Sequence, residues 1–241
     1  MTKKLVVTFI IIIFATYICT VMNTKINLKQ EQLFTLQRKR YRYNIMARFF
    51  FLILDLIAGK KHSLSKAKLL EILACIPYRE WEIKKYVSLT WNFRNATKID
   101  EADTIIKWSR EAQDNEYMHL LVIHEKMKEE GIKDAWYLSP VVVFFAVWSY
   151  VLVSKIVKYV SLKAAFYFNA QFEDHAEHVY AEMVNDHPEW ETQSLTNDLV
   201  KKYADVENWA DVFRRISLDE REHGNNSFYF CGKPELIVEN K

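Results

Sequence analysis

Glycine and proline are scarce in this 241-residue chain, four of each. So few chain breakers argue against a strand-and-turn architecture and for long helices. Cysteine is scarcer still: Cys19, Cys75 and Cys231 are odd in number and far apart, which fits neither a zinc pattern nor a disulfide framework. A dominant charge sign is also missing. Lys plus Arg number 33 against 31 Asp plus Glu, so net charge points to no nucleic-acid partner. No internal repeat and no low-complexity segment interrupts the chain.

What is present is apolar. Half the residues are hydrophobic, and the length suits a single domain with ample core. Lys3 and Lys4 precede the apolar run Leu5–Met22, which is expected to be a retained anchor in preference to a cleaved signal, because no A-x-A-like site follows it. A basic patch of Arg38, Lys39, Arg40 and Arg42 leads into a second run, Met46–Ala58. It is too short to span a bilayer and suited to lie in its interface. The third, Val141–Val160, follows Ser139-Pro140 and carries Lys155 and Lys158, which are expected to snorkel to lipid headgroups. Ordinary burial in a bundle is the competing reading of this helix.

Four amphipathic stretches complete the pattern, at about Ser65–Trp91, Glu101–Glu130, Leu162–Val184 and Asn208–Asn225. The expected fold is therefore all-α, a four-helix bundle core with additional membrane-facing helices. The expected divisions are residues 1–25 as hydrophobic anchor or signal, 26–45 as basic linker, 46–230 as the helical domain and 231–241 as a tail.

Each of the four stretches carries an acid, and two carry Glu-x-x-His: Glu116 with His119, and Glu220 with His223. Side chains three apart share a helix face, so both can reach one metal ion. That face is apolar, with Trp108, Ala112 and Ile123 around the first pair and Val212, Phe213 and Ile216 before the second. Glu71 lies in Leu69-Leu-Glu-Ile-Leu-Ala-Cys-Ile, and Glu173 one turn beyond Asn169. Unpartnered buried carboxylates are prohibitively costly, and a pair of metal ions removes the cost. Four carboxylates balance two divalent ions in charge. The order Glu, Glu-x-x-His, Glu, Glu-x-x-His is that of ferritin-like di-iron carboxylate bundles. A single pair is more often a solvated helix contact; the two together, with acids on apolar faces, favour metal. His124, His175 and His178 are expected at the surface or behind the ligands, and His62 and His187 in loops.

At these residues the sequence resembles the alternative oxidase family, its plastid-type terminal oxidases more than its mitochondrial members, over roughly Arg48 to Ser227. Leu70-Glu-Ile-Leu-Ala-Cys-Ile-Pro77-Tyr78 resembles the family's first ligand helix, with the plastid-type Pro-Tyr step. Asn115-Glu-Tyr-Met-His-Leu-Leu resembles Asn-Glu-Arg-Met-His-Leu, and Phe172-Glu-Asp-His-Ala is similar to Val-Glu-Ser-His-Ala, with Tyr180 seven residues after the Glu. Asp219-Glu-Arg-Glu-His223 resembles the closing Asp-Glu-Ala-Glu-His. The resemblance implies a monotopic membrane protein, usually a homodimer, that oxidises quinol (ubiquinol or plastoquinol) and reduces dioxygen to water at two iron ions without pumping protons. A bacterial inner membrane and an organelle membrane both fit.

Carried over, the iron ligands are Glu71, Glu116, His119, Glu173, Glu220 and His223. Tyr180 matches a tyrosine beside the irons that assists electron or proton transfer, and Asn115 and Asp219 match residues that orient ligands. Lys66 stands where mitochondrial members carry an arginine implicated in quinol binding, keeping the charge without the planar fork. Val179 stands where many members have threonine. These two are the candidate quinol-binding positions. A di-iron hydroxylase of the demethoxyubiquinone type shares the ligand scheme, though without the Tyr180 context or the Pro77-Tyr78 step. A metal-free helical membrane scaffold, or an oxidase that has lost turnover, remains the alternative.

Overall fold

The structure, a computed structural model, describes residues 26–241, so the expected anchor at Leu5–Met22 lies outside the described residues. The chain is all-α. Eight α-helices are described: α1 (Leu28–Gln37), α2 (Ile45–Ala58), α3 (Leu64–Trp91), α4 (Ala96–Glu129), α5 (Pro140–Val160), α6 (Leu162–Asp186), α7 (Asp198–Tyr203) and α8 (Trp209–Cys231). Among the described residues the sole β feature is one isolated bridge, Ser194 to Asn208.

Local chemistry sets these boundaries. Asn27, Asn44, Ser63, Asn95, Ser161, Asn197 and Asn208 each cap a helix, the side-chain oxygen accepting from a backbone N–H of the first turn. The exception is α5, which begins with Pro140, whose missing N–H would be unpaired there in any case. α8 ends at Gly232 with φ +82°, a left-handed cap that costs other residues strain. α4 begins five residues before the expected start because the Asn95 cap lies upstream of the amphipathic pattern. α8 runs through Gly224 to Cys231 and stops only at the left-handed Gly232.

Four long helices surround the core. α3 packs along α4 and α6 along α8, and α5 lies against α3 and α6. Two apolar clusters cap this assembly at opposite ends. One contains Ala67, Val122, Ala176, Tyr180, Phe213 and Ile216; the other holds Tyr78, Trp81, Trp108, Ala112, Ala170 and Phe228. In sequence order α3 and α8 pass from the first cluster to the second, and α4 and α6 pass back. Residues 71, 116–119, 173 and 220–223 therefore fall into one layer between the clusters.

The segment expected as a basic linker, 26–45, contains α1, which packs on α6 and α8. Its cations are drawn in by acids of α6: Arg38 pairs with buried Asp174 and Glu177 at 2.7 Å each, and Arg40 with half-buried Glu182 at 2.6 Å. The segment expected as a tail folds back, Asn225 exchanging two 2.8 Å hydrogen bonds with the Val238 backbone. α5 is long and apolar enough to cross a membrane, with 6% of its most apolar stretch buried. Lys155 is exposed as expected, but Lys158 is 2% exposed. Its ammonium turns inward onto the Glu80 carboxylate and carbonyl, an ion pair that outweighs snorkelling.

Candidate metal centre

The layer between the two clusters is polar and buried. Glu71, Glu116, His119, Glu173, Glu220 and His223 are all buried, Glu116, His119 and Glu173 completely. Their donor atoms form two overlapping groups, Glu71–Glu116–His119–Glu220 and Glu116–Glu173–Glu220–His223, each with all atoms within 4.8 Å of one another. Each group could hold a metal ion. Glu116 and Glu220 belong to both groups.

The histidines are held by what lies behind or beside them. His119 Nε2 is 3.3 Å from Asp219 Oδ2, leaving Nδ1 facing Glu220 at 3.1 Å and Glu71 at 3.5 Å. Asp219 in turn accepts from Tyr203 at 2.6 Å, Asn115 at 3.4 Å and Arg215. His223 Nδ1 approaches Glu116 Oε1 at 2.8 Å, out of line for a hydrogen bond. Behind the carboxylates, Tyr180 donates to Glu71, and Tyr78 and Asn169 donate to Glu173 Oε1 at 2.6 and 2.8 Å. Gly224 of α8 faces α6, where a Cβ would meet Glu173 Cβ in ordinary contact at 3.4 Å.

The electrostatics describe a site short of positive charge. Burial, then the neighbouring Glu116 carboxylate, pushes Glu71 well above the usual carboxyl range. Burial, then Glu220 and Glu116, does the same to Glu173. Burial opposes ionisation of Glu116 too, but His223 and His119 outweigh it and hold Glu116 down. Both imidazoles are pushed up against burial, His223 chiefly by Glu116 and His119 by Tyr203, Asp219 and the site carboxylates.

The fit to a metal rests on unpartnered atoms. Glu71 Oε2, both Glu116 oxygens, His119 Nδ1, Glu173 Oε2, Glu220 Oε2 and His223 Nδ1 are buried without a hydrogen-bond partner. Buried polar atoms are normally satisfied, and here all six residues carry one that is not. Each of the other candidate oxygens of Glu71 and Glu173 is engaged by a tyrosine, so the unpartnered atoms are the ones placed to hold a cation inside the layer.

The remaining candidates lie apart. Lys66 is buried and donates to Asp55 Oδ1 at 2.6 Å and the Gly59 carbonyl at 2.8 Å. Val179 packs in the apolar cluster beside Tyr180 and Met183. Neither lines the cavity of about 570 Å³ between α2, α3, α5 and α6, whose walls include Phe50, Leu73, Pro77, Trp81, Phe145 and Tyr150. Tyr203 and Asn169 were not legible as site residues, because each reaches its carboxylate only through packing. His178, expected at the surface or behind the ligands, is buried, its ring against the Asp174 carbonyl at 2.7 Å. The group Asp174–Glu177–His178 also has ligand spacing, but Arg38 and Arg221 already neutralise its acids. No family model matches the chain, and no curated protein matches it.

Proposed function

We propose that the chain is a membrane-bound quinol:oxygen oxidoreductase of the alternative-oxidase type, with a four-helix bundle that holds two iron ions. The observation that carries this reading is the convergence of Glu, Glu-x-x-His, Glu and Glu-x-x-His on one buried layer with an orphaned donor on every residue. Glu71, Glu116, His119, Glu173, Glu220 and His223 would hold the ions, with Glu116 and Glu220 common to both groups. Carboxylate and imidazole donors suit iron or manganese, and one-electron chemistry with dioxygen favours iron.

When bound, the irons would supply the electrons that reduce dioxygen, four per molecule. Two quinols replace them, each releasing two protons and leaving as quinone, and two waters form. Around that chemistry the chain's own residues position and exclude. Asp219 fixes the His119 ring through Nε2. Tyr180, its hydroxyl on Glu71 and its phenol pushed well above its ordinary range by burial and by that carboxylate, holds a proton beside the site. The two apolar clusters keep bulk water out. The cavity under α2 and α5 offers a lipophilic quinol an entrance lined by Phe50, Pro77 and Trp81.

The test is oxygen uptake by membranes bearing the chain, supplied with quinol in the presence of cyanide. Uptake that is lost in Glu173→Ala supports the reading. Absent uptake, or uptake unchanged in that variant, refutes it.

A further inference from the structure

Resting on the membrane reading above, we infer that the face formed by α2 and α5 docks on a bilayer surface rich in anionic phospholipid. The apolar part of this face is open: Ile45, Phe49, Leu52 and Leu56 of α2 and Phe144, Trp148, Leu152 and Ile156 of α5 are all more than half exposed. Their spacing of three and four places each set on one stripe of its helix. The two helices flank the same apolar clusters and the same cavity, Ala47 with Tyr150 in one cluster and Leu54 with Val142 in another.

The charge on and around this face is of one sign. Residues 32–70 contain nine Lys and Arg but a single acid, Asp55, and that acid is held by Lys66. Residues 135–172 contain three Lys and no acid. These two segments therefore carry a net +11 (nine plus three, less one), in a chain whose total is +2. Five of these twelve cations, Arg38, Arg40, Lys66, Lys68 and Lys158, pair with acids of the protein, but those exposed on the face do not. Arg42, Arg48, Lys60, Lys61, Lys155 and Lys163 are exposed and have no ion-pair partner among the described residues. All lie on α2 or α5 or within three residues of their ends.

Their register decides the partner. Arg48 lies between Ile45 and Leu52 on the open stripe of α2, and Lys155 follows Leu152 by three on that of α5. Cations set among exposed aromatics and aliphatics match neither a soluble partner's flat acidic surface nor nucleic acid. They match an interface whose apolar interior begins just below a layer of phosphates.

The experiment reconstitutes the full chain into phosphatidylcholine vesicles and measures, by electron spin resonance, the relative association of spin-labelled phosphatidylglycerol and phosphatidylcholine. A preference of about fivefold for the anionic lipid is expected at low salt, and it should collapse near 0.5 M salt as the Debye length shrinks. The combined variant Arg48→Gln, Lys60→Gln, Lys61→Gln, Lys155→Gln should lose most of it, while Lys201→Gln with Lys202→Gln, exposed on α7, should keep it. Equal association of the two lipids, a preference insensitive to salt, or one retained in the four-fold variant would overturn the inference and leave the membrane reading intact. A chain that fails to stay with vesicles once detergent is removed would overturn both.

Discussion

Burial, then the nearby Arg40 guanidinium, holds the His175 imidazole down at about 3. Its ring lies 4.1 Å from that of Phe51, and Arg40 donates towards Nδ1 at 3.4 Å, which a neutral ring accepts. Unfolded, the same side chain titrates near 6.5. The folded state then binds fewer protons, so the stability His175 contributes is complete above about pH 6.5 and is lost as pH falls towards 3. His175→Phe should flatten that acid limb, removing roughly 2 kcal/mol of the difference between pH 7 and pH 4.5 in urea titrations. At the candidate centre the shifts run upward instead, with the same loss at low pH. Glu71 and Glu173 are held protonated when no cation is near, so metal loading should expel protons and weaken as pH falls. Calorimetry in two buffers of different ionisation enthalpy measures that release, and a buffer-independent heat would contradict it. Tyr180→Phe removes the hydroxyl on Glu71 but no candidate ligand. Iron content should stay near wild type while quinol-dependent oxygen uptake falls at least tenfold; normal turnover would refute the role given to Tyr180.

At the scale of helices, the association of α5 with the rest of the molecule hangs on few contacts, since most of its surface is open. Tyr150 and Lys158 are its buried residues, and Lys158 neutralises Glu80 on α3. Replacing Lys158 by Met leaves the Glu80 carboxylate buried without its cation, a change that costs about 3–5 kcal/mol when uncompensated. Pairing Lys158→Met with Glu80→Leu should recover most of the loss, because two apolar residues leave nothing unpaired. Thermal midpoints of the single and double variants in one detergent check this; equal midpoints for the single variant and wild type would show the pair to be idle. The helix boundaries were largely legible because capping and hydrophobic spacing are local properties of ten to thirty residues. α1 was not, because its low amphipathicity gives no periodic signal and its stability comes from Arg38 and Thr35 meeting Glu177 on α6.

The whole molecule is tied together by a second buried charge network, behind the candidate centre. Arg221 pairs with Glu177 of α6 at 2.9 Å and with Glu31 of α1, and donates to Asn240 near the carboxyl end at 3.0 Å. Arg38 completes the neutralisation from the segment after α1. Three stretches far apart in the chain thus share one set of charges, and the carboxyl end is hydrogen-bonded to it. Arg221→Ala should strand Glu31 and lower the thermal midpoint by about 10 °C, from a loss of roughly 4 kcal/mol. Differential scanning in detergent measures it.

The sequence by itself determined helices α2 to α6 and α8, their order, and the faces on which Glu116 with His119 and Glu220 with His223 project, because a separation of three on a 3.6-residue helix leaves no other choice. It also determined that Glu71 and Glu173 stand on apolar surfaces. Only the tertiary structure decided that these six side chains share one layer, that Glu116 and Glu220 are common to both groups, and which atoms are left without partners. It alone brought Tyr203 to Asp219 and Tyr78 to Glu173, and turned Lys158 inward. Those contacts join residues up to about a hundred positions apart, and no local periodicity encodes them. They follow from how four helices, fixed by the burial of two apolar clusters, bring their middle turns together.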